Sequence, residues 1–135
     1  MANQTIARDP QRQPGNILPY KAAAVNIFAG AAVSKNAAGF AKNAGDVSGE
    51  TFLGVLDKTV LNSTGAAGAK TARVWKHGVF TFAFSGGSAA QADINAQVYF
   101  VDDQTVAKTT TNSVLAGRIV EVLSTTSVRV RIVTV

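Results

Sequence analysis

The stretch Val79-Phe-Thr-Phe-Ala-Phe84 sets an aromatic ring at every second position. Successive side chains of a β-strand point to opposite faces, so Phe80, Phe82 and Phe84 share one face while Val79, Thr81 and Ala83 take the other. On a helix the same spacing would send neighbouring rings to opposite sides. Val128-Arg-Val-Arg-Ile132 repeats the pattern, with Val128, Val130 and Ile132 inward and Arg129 and Arg131 outward.

Working outward, further strands are predicted over 23–28, 31–35, 52–60, 71–76, 97–101, 105–109 and 115–123. Turn residues separate them at Ala29-Gly30, 36–39, 62–68, His77-Gly78, 85–87 and Asp102-Asp103. No window sustains an apolar period of 3.6. The expected fold class is all-β: a single β-sandwich or jelly-roll-like barrel over residues 20–135, with an extended N-terminal arm. The chain of 135 residues suits one domain. Hydrophobic residues reach 47%, many of them Ala and Val, and only 16% are charged, which favours flat strand surfaces over long helices.

Two segments resemble one another. The first holds Ala32-Val33, Phe40-Ala41-Lys42, Leu53-Gly54-Val55 and Arg73-Val74; the second holds Gln97-Val98, Val106-Ala107-Lys108, Ala116-Gly117-Arg118 and Arg129-Val130. An internal duplication over about 30–78 and 95–135 would give two similar sheets, although the gaps between the segments differ and chance also yields such matches.

Residues 1–19 carry all three prolines, Pro10, Pro14 and Pro19, with the polar run Gln11-Arg12-Gln13. Proline removes a backbone donor and pushes its predecessor toward extended conformations, so this segment is expected as an arm and not as core. Its candidate partner-binding residues are Arg8, Arg12, Ile17 and Leu18, the two arginines acting as charged anchors. Residues 22–33 are apolar, yet Asn26 and Gly30 interrupt them and they are too short to span a bilayer. Their place behind the proline-rich segment is wrong for an export signal. A pair of strands is expected there.

The excluded chemistry is extensive. Without cysteine there is no disulfide framework, no thiolate nucleophile and no Cys-ligated metal. Gly65-Ala-Ala-Gly-Ala-Lys70-Thr71 imitates a phosphate-binding loop, but Thr64 and Ala69 stand where such a loop needs glycine, and a strand follows where it needs a helix. His77, the single histidine, sits beside Gly78 at a turn with no nucleophile motif near it. Asp102-Asp103 reads as a capped hairpin turn, because calcium loops bring more oxygen ligands at alternating positions. The Asn3-Gln4-Thr5 and Asn62-Ser63-Thr64 triplets are chance matches to a glycosylation signal. No cofactor, no metal and no enzymatic activity is expected. The net charge of +5 is scattered, without the cluster of a nucleic-acid footprint. Arg73, Trp75 and Lys76 are the nearest approach to one.

The segments Ala96-Gln-Val-Tyr-Phe-Val-Asp102, Asn112-Ser-Val-Leu-Ala-Gly-Arg-Ile-Val-Glu121 and Val128-Arg-Val-Arg-Ile132 resemble the small capsid decoration, or cement, proteins of tailed bacteriophages. The resemblance covers roughly residues 20–135, and its motifs are short. It implies a structural virion protein on the outer surface of the mature head, clamping neighbouring subunits of the major capsid protein. It also implies a homo-oligomer, dimer or trimer; the scattered charge and the short apolar run lead to an expectation of neither nucleic acid nor membrane among the partners. The long proline-bearing arm departs from the shortest members of that family. The alternative is a carbohydrate- or host-surface-binding β module, for which only Tyr20, Trp75 and Tyr99 could supply stacking rings.

Overall fold

The computed structural model describes residues 15–134. Strands β1 (Ile17–Lys21), β7 (Thr71–Trp75), β5 (Thr51–Leu56), β3 (Ala32–Lys35) and β4 (Ala41–Asn43) lie in that order as one antiparallel sheet. Strands β8 (Val79–Phe84), β12 (Ser127–Ile132), β11 (Leu115–Ser124), β9 (Gln97–Phe100) and β10 (Thr105–Ala107) follow the same order. They close into a barrel, because β10 returns to pair in parallel with β8 at Ala83 and Phe84. Between β1 and β7 the chain adds a two-stranded ribbon, β2 (Asn26–Ile27) with β6 (Val60–Leu61).

The all-β class is therefore as the alternating segments demand. The strand order is that of a sheet beside a closed barrel, not two stacked sheets. Even the sheet is drawn round: Ala22 bridges Ala41 in parallel, and the Ala23 N–H donates to the Ala41 carbonyl at 2.8 Å. In the barrel the Ser85 N–H donates to the Val106 carbonyl at 3.0 Å in the matching place.

Register aligns the two halves residue by residue. Val33 faces Gly54 across β3 and β5, as Val98 faces Gly117 across β9 and β11. In both pairs the ladder slips at the residue before the glycine, Leu53 or Ala116, which is a β-bulge. Gly54 and Gly117 then have φ of 154° and 156°. A Cβ on Gly54 would overlap the Trp75 carbonyl oxygen, and one on Gly117 the Arg131 carbonyl oxygen, so both glycines are dictated by backbone approaching backbone. The register places Ala41 opposite Lys35 as Val106 lies opposite Phe100. This is one residue away from the pairing read from sequence, which set Phe40-Ala41-Lys42 against Val106-Ala107-Lys108.

Three expectations need correction. Residues 17–19, counted with the arm, belong to β1. The Ala22 and Lys76 N–H groups donate to the Lys70 and Asn16 carbonyls, so the even-numbered residues of β1 face β7. Pro19 therefore turns its donorless nitrogen away from the ladder, the one placement a strand tolerates. The span 52–60 is not one strand, since β5 ends at Leu56 and β6 begins at Val60. Residues 22–33 do not form a strand pair with each other: β2 goes to the ribbon and β3 to the sheet.

Two apolar clusters hold the halves. Inside the sheet lie Val33, Leu53, Leu56 and Val74, covered by Ile27 and Val60 of the ribbon. Inside the barrel lie Phe82, Phe84, Val98, Ile119 and Val130, and the sheet's outer residues Ala32, Phe52 and Val55 pack onto the same cluster. Phe100, fully buried, meets Phe52 edge-on at 4.6 Å between centroids and Phe82 at 5.7 Å. Burying such a ring contributes about 1.5–3 kcal/mol, so Phe100 is a principal fastener between sheet and barrel.

Candidate interaction surface

Among the described residues the most exposed large apolar side chains are those of Phe28, the residue after β2, and Leu61 of β6. Ile27 and Val60 point inward, so alternation sends Phe28 and Leu61 outward, where they are 61% and 54% exposed. The loop after β2 is held through its backbone amides: the Ala29 N–H donates to the side-chain Oγ1 of Thr59 at 3.0 Å and the Gly30 N–H to the Leu56 carbonyl at 2.9 Å. This loop forms one wall of a groove of about 450 Å³, whose other wall is Thr81 of β8 with Asp103 and Gln104 of the β9–β10 turn. Sheet and barrel thus share the groove. Its floor is tied by the Ala32 N–H donating to the Asp103 carbonyl at 2.8 Å and by Asn43 Nδ2 donating to Asp103 Oδ2 at 2.7 Å.

Thr81 brings backbone as well as side chain to the groove. The Phe84 N–H donates to the Thr126 carbonyl and the Ile132 N–H to the Gly78 carbonyl, so even-numbered residues of β8 face β12. The N–H and C=O groups of Val79 and Thr81 therefore face the other way. There the first contact with β10 comes only at Ala83, whose N–H donates to the Gln104 carbonyl at 2.9 Å. Among the described residues nothing pairs with the Val79 and Thr81 edge.

The residues named from sequence are placed as follows. Ile17 and Leu18 are half-buried in β1, opposite Trp75 and Val74. Arg8 and Arg12 lie outside the described residues, as does the rest of the arm before Gly15. Tyr20 turns into the sheet's core, Trp75 is 37% exposed on the sheet's outer face and Tyr99 lies on the barrel, so the three rings are not brought together. Asp102 caps its own turn, its Oδ1 accepting from the Gln104 N–H at 2.9 Å. His77 lines a second groove of about 400 Å³ with Val79 and Arg131. Among the described residues no group of three His, Asp or Glu side chains is placed to hold a metal ion.

Lys76, which with Arg73 and Trp75 comes nearest to a basic cluster in the sequence, is only 4% exposed. Its Nζ donates to the Leu53 carbonyl at 2.6 Å and to Tyr20 Oη at 2.9 Å, and sits 5.1 Å from the Tyr20 ring centre. The reason is the bulge. In the barrel the bulge carbonyl of Ala116 accepts from the Val133 N–H at 3.0 Å. In the sheet the chain leaves β7 for β8 at this point, and the Lys76 side chain supplies the donor for Leu53 instead.

Two carboxylates are held below the usual range. Asp46 accepts the Asn112 N–H foremost, at 2.7 Å, and the Thr111 N–H at 3.0 Å, which ties the loop after β4 to the loop after β10. Asp93 is held down chiefly by its hydrogen bond from Lys108 Nζ at 2.8 Å and then by the Ala90 N–H. Both are structural clasps. Sequence reasoning missed Phe28, Leu61 and the Val79–Thr81 edge. Alternation marks which residues share a face, but not which face or edge a second sheet will leave uncovered.

Comparison of the chain with protein-family models, with curated proteins and with solved structures finds no match.

Proposed function

We propose that the protein is a structural module of a virion that binds the outer surface of a mature phage head and cements neighbouring major capsid subunits. The reading rests on the sequence resemblance of the segments 96–102, 112–121 and 128–132. The observation that carries it in three dimensions is the outward exposure of Phe28, just after β2, and of Leu61 in β6, beside a loop held by the Ala29 and Gly30 amides. Large apolar side chains held on a rigid support lose little conformational freedom on contact, and so favour docking onto another protein surface. Repetition over many capsid sites would let modest contacts accumulate. A self-associating form, dimer or trimer, belongs to the same proposal, as does the jelly-roll-like character of the body.

The test is co-sedimentation of the purified protein with expanded heads that lack it, titrated to saturation. Saturable binding at a fixed ratio to the major capsid subunit is expected, and the double variant Phe28→Ser, Leu61→Ser should lower the affinity about tenfold or more. Absence of binding to expanded heads would overturn the reading, and glycan binding that vanishes on Trp75→Ala would replace it with the carbohydrate-binding one.

A further inference from the structure

The two halves leave equivalent edges open and guard them differently. In β1 the groups facing away from β7 belong to Ile17, Pro19 and Lys21, so the middle residue offers no donor and the last brings a charge. Proline and lysine are the usual means of keeping a free edge from pairing. In β8 the corresponding residues are Val79, Thr81 and Ala83, with neither proline nor charge. The β9–β10 turn takes up Ala83, while Val79 and Thr81 keep two N–H and two C=O groups without partners among the described residues.

Charge divides this edge. At its Thr81 end lies the groove that holds Asp103 and no basic residue. Asp103 gives one oxygen to Asn43, and among the described residues the other accepts no hydrogen bond. At its Val79 end lies the groove that holds His77 and Arg131 and no acid. Arg131 is exposed, faces Arg118 across the ladder and has no ion pair among the described residues. One open edge is thus acidic at one end and basic at the other.

We infer that this edge is the interface between two copies of the chain, β8 pairing antiparallel with the partner's β8 about a twofold axis at Phe80. An antiparallel ladder alternates residue pairs that exchange two hydrogen bonds with pairs that exchange none. With Phe80 facing the partner's Phe80, Val79 faces the partner's Thr81 and Thr81 the partner's Val79. Both of these pairs exchange two bonds, so every open group of the edge is used. The same axis turns the strand end for end. It therefore lays the groove with Arg131 on the partner's groove with Asp103, and does so twice, as an isologous contact requires. A parallel pairing would set like charge beside like. The two Phe80 rings, each half-buried at the rim of its barrel, come to lie side by side. Strand length suits the register as well. β8 begins at Val79 after a bend at His77-Gly78, so the paired stretch ends before the partner's Gln104, whose carbonyl already holds its Ala83. The contact joins edge to edge and leaves the arginine-bearing outer face in water.

Sedimentation equilibrium of the purified full chain over a wide range of concentration tests this, with amide hydrogen exchange read at Val79 and Thr81. A monomer–dimer equilibrium is expected, and protection of both amides should rise as the dimer forms. Thr81→Pro removes a donor from the open edge alone, since the ladder with β12 uses the even-numbered residues of β8. It should weaken association about tenfold or more and leave thermal unfolding of the dilute protein nearly unchanged. Asp103→Arg and Arg131→Asp should each weaken association too, and the two changes together should restore it, an outcome that loss of folding does not produce. Failure of the double variant to recover would overturn the antiparallel register. A monomer with rapid exchange at every concentration would overturn the inference and leave the edge to a different protein. Protection that does not change with concentration would overturn it in favour of cover from the chain itself. A trimer, or a dimer indifferent to Thr81→Pro, would overturn it as well, because twofold pairing uses each edge once. The inference deepens the self-association proposed above and rests on that part of the reading. No phage head enters the experiment, so its failure is separable from failure of the cement reading.

Discussion

The cross-strand row Ile17, Trp75, Val55 and Ala32 in the sheet occupies the places that Val79, Arg131, Arg118 and Gln97 hold in the barrel. The strand order, the bulge and the glycine are shared, but the outward row is not. In the sheet Val55 and Ala32 are buried, pressed against the barrel's core; in the barrel Arg118 and Gln97 face solvent, and Arg118 donates to the Asn95 carbonyl at 2.9 Å. One pattern of alternation therefore serves two different ends. The inner face makes each half, and the outer face decides whether that half is covered. Two arginines directly opposite across β11 and β12 would be a poor choice for a face meant to be buried.

The largest effect should come from exchanging the outer rows. Val55→Arg would force a charge between sheet and barrel with no acid opposite, and should destabilise by about 3–5 kcal/mol. Arg118→Val, the converse change on the free face, should stay within about 0.5 kcal/mol. Urea unfolding of the two variants measures both. If they cost the same, the outer rows are not what distinguishes the halves.

The shared bulge gives the next test. Gly54→Ala and Gly117→Ala each push a methyl group into a carbonyl oxygen of the adjacent strand at a positive φ, and each should cost about 2–4 kcal/mol. Near-equal losses are expected, since the two sites have the same geometry. A loss at one and not the other would show that the halves bear strain differently.

How far the sequence led can be judged from these same residues. Period-two alternation found β8 and β12, and it placed Phe82, Val128 and Val130 in a core, because burial on one face imposes that period directly. It did not find β1, since a proline argues against a strand unless its nitrogen is known to face outward, which only the ladder with β7 determines. It also failed to separate Val55 from Arg118. Both are outward positions, and the covering of one by Phe100 and its neighbours depends on how sheet and barrel meet, a relation between residues far apart in the chain. The candidate surface was hidden for the same reason. Phe28 lies in a run of apolar residues that reads as core throughout, and its exposure follows only from Ile27 taking the inward place in the ribbon.

Lys76 marks the point where the likeness between the halves is repaired. Lys76→Ala would leave the Leu53 carbonyl without the donor that Val133 supplies to Ala116, and should cost about 1–3 kcal/mol. Val133 donates through its backbone, so Val133→Ala at the matching place should do little. Thermal unfolding of the pair would sharpen the comparison. A neutral Lys76→Ala would mean that water serves the bulge carbonyl as well as the ammonium does.

The smallest expected effect concerns acid. Asp46 and Asp93 are each held below their ordinary value of 3.8, the first mainly by the Asn112 N–H and the second mainly by Lys108. A carboxyl whose folded pKa is depressed contributes stability that is fully present above its unfolded pKa and is lost as pH falls through the folded one. The contribution should therefore be constant from neutral pH down to about 5 and fade below about 4, where the unfolded chain takes up protons first. The two clasps differ in what they join: Asp93 stays within the barrel, whereas Asp46 binds the sheet's loop to the barrel's. Asp46→Asn keeps a carbonyl acceptor but cannot offer two oxygens to the Thr111 and Asn112 amides, so its stability should depend less steeply on pH below about 4 than that of the unaltered chain. Exchange of the Thr111 and Asn112 amides, followed against pH, isolates the clasp from the rest. Loss of their protection at acid pH in the unaltered chain, and its absence at every pH in Asp46→Asn, would assign to this carboxylate the polar fastening that complements Phe100 between the halves; protection indifferent to both changes would leave the joint to apolar packing alone.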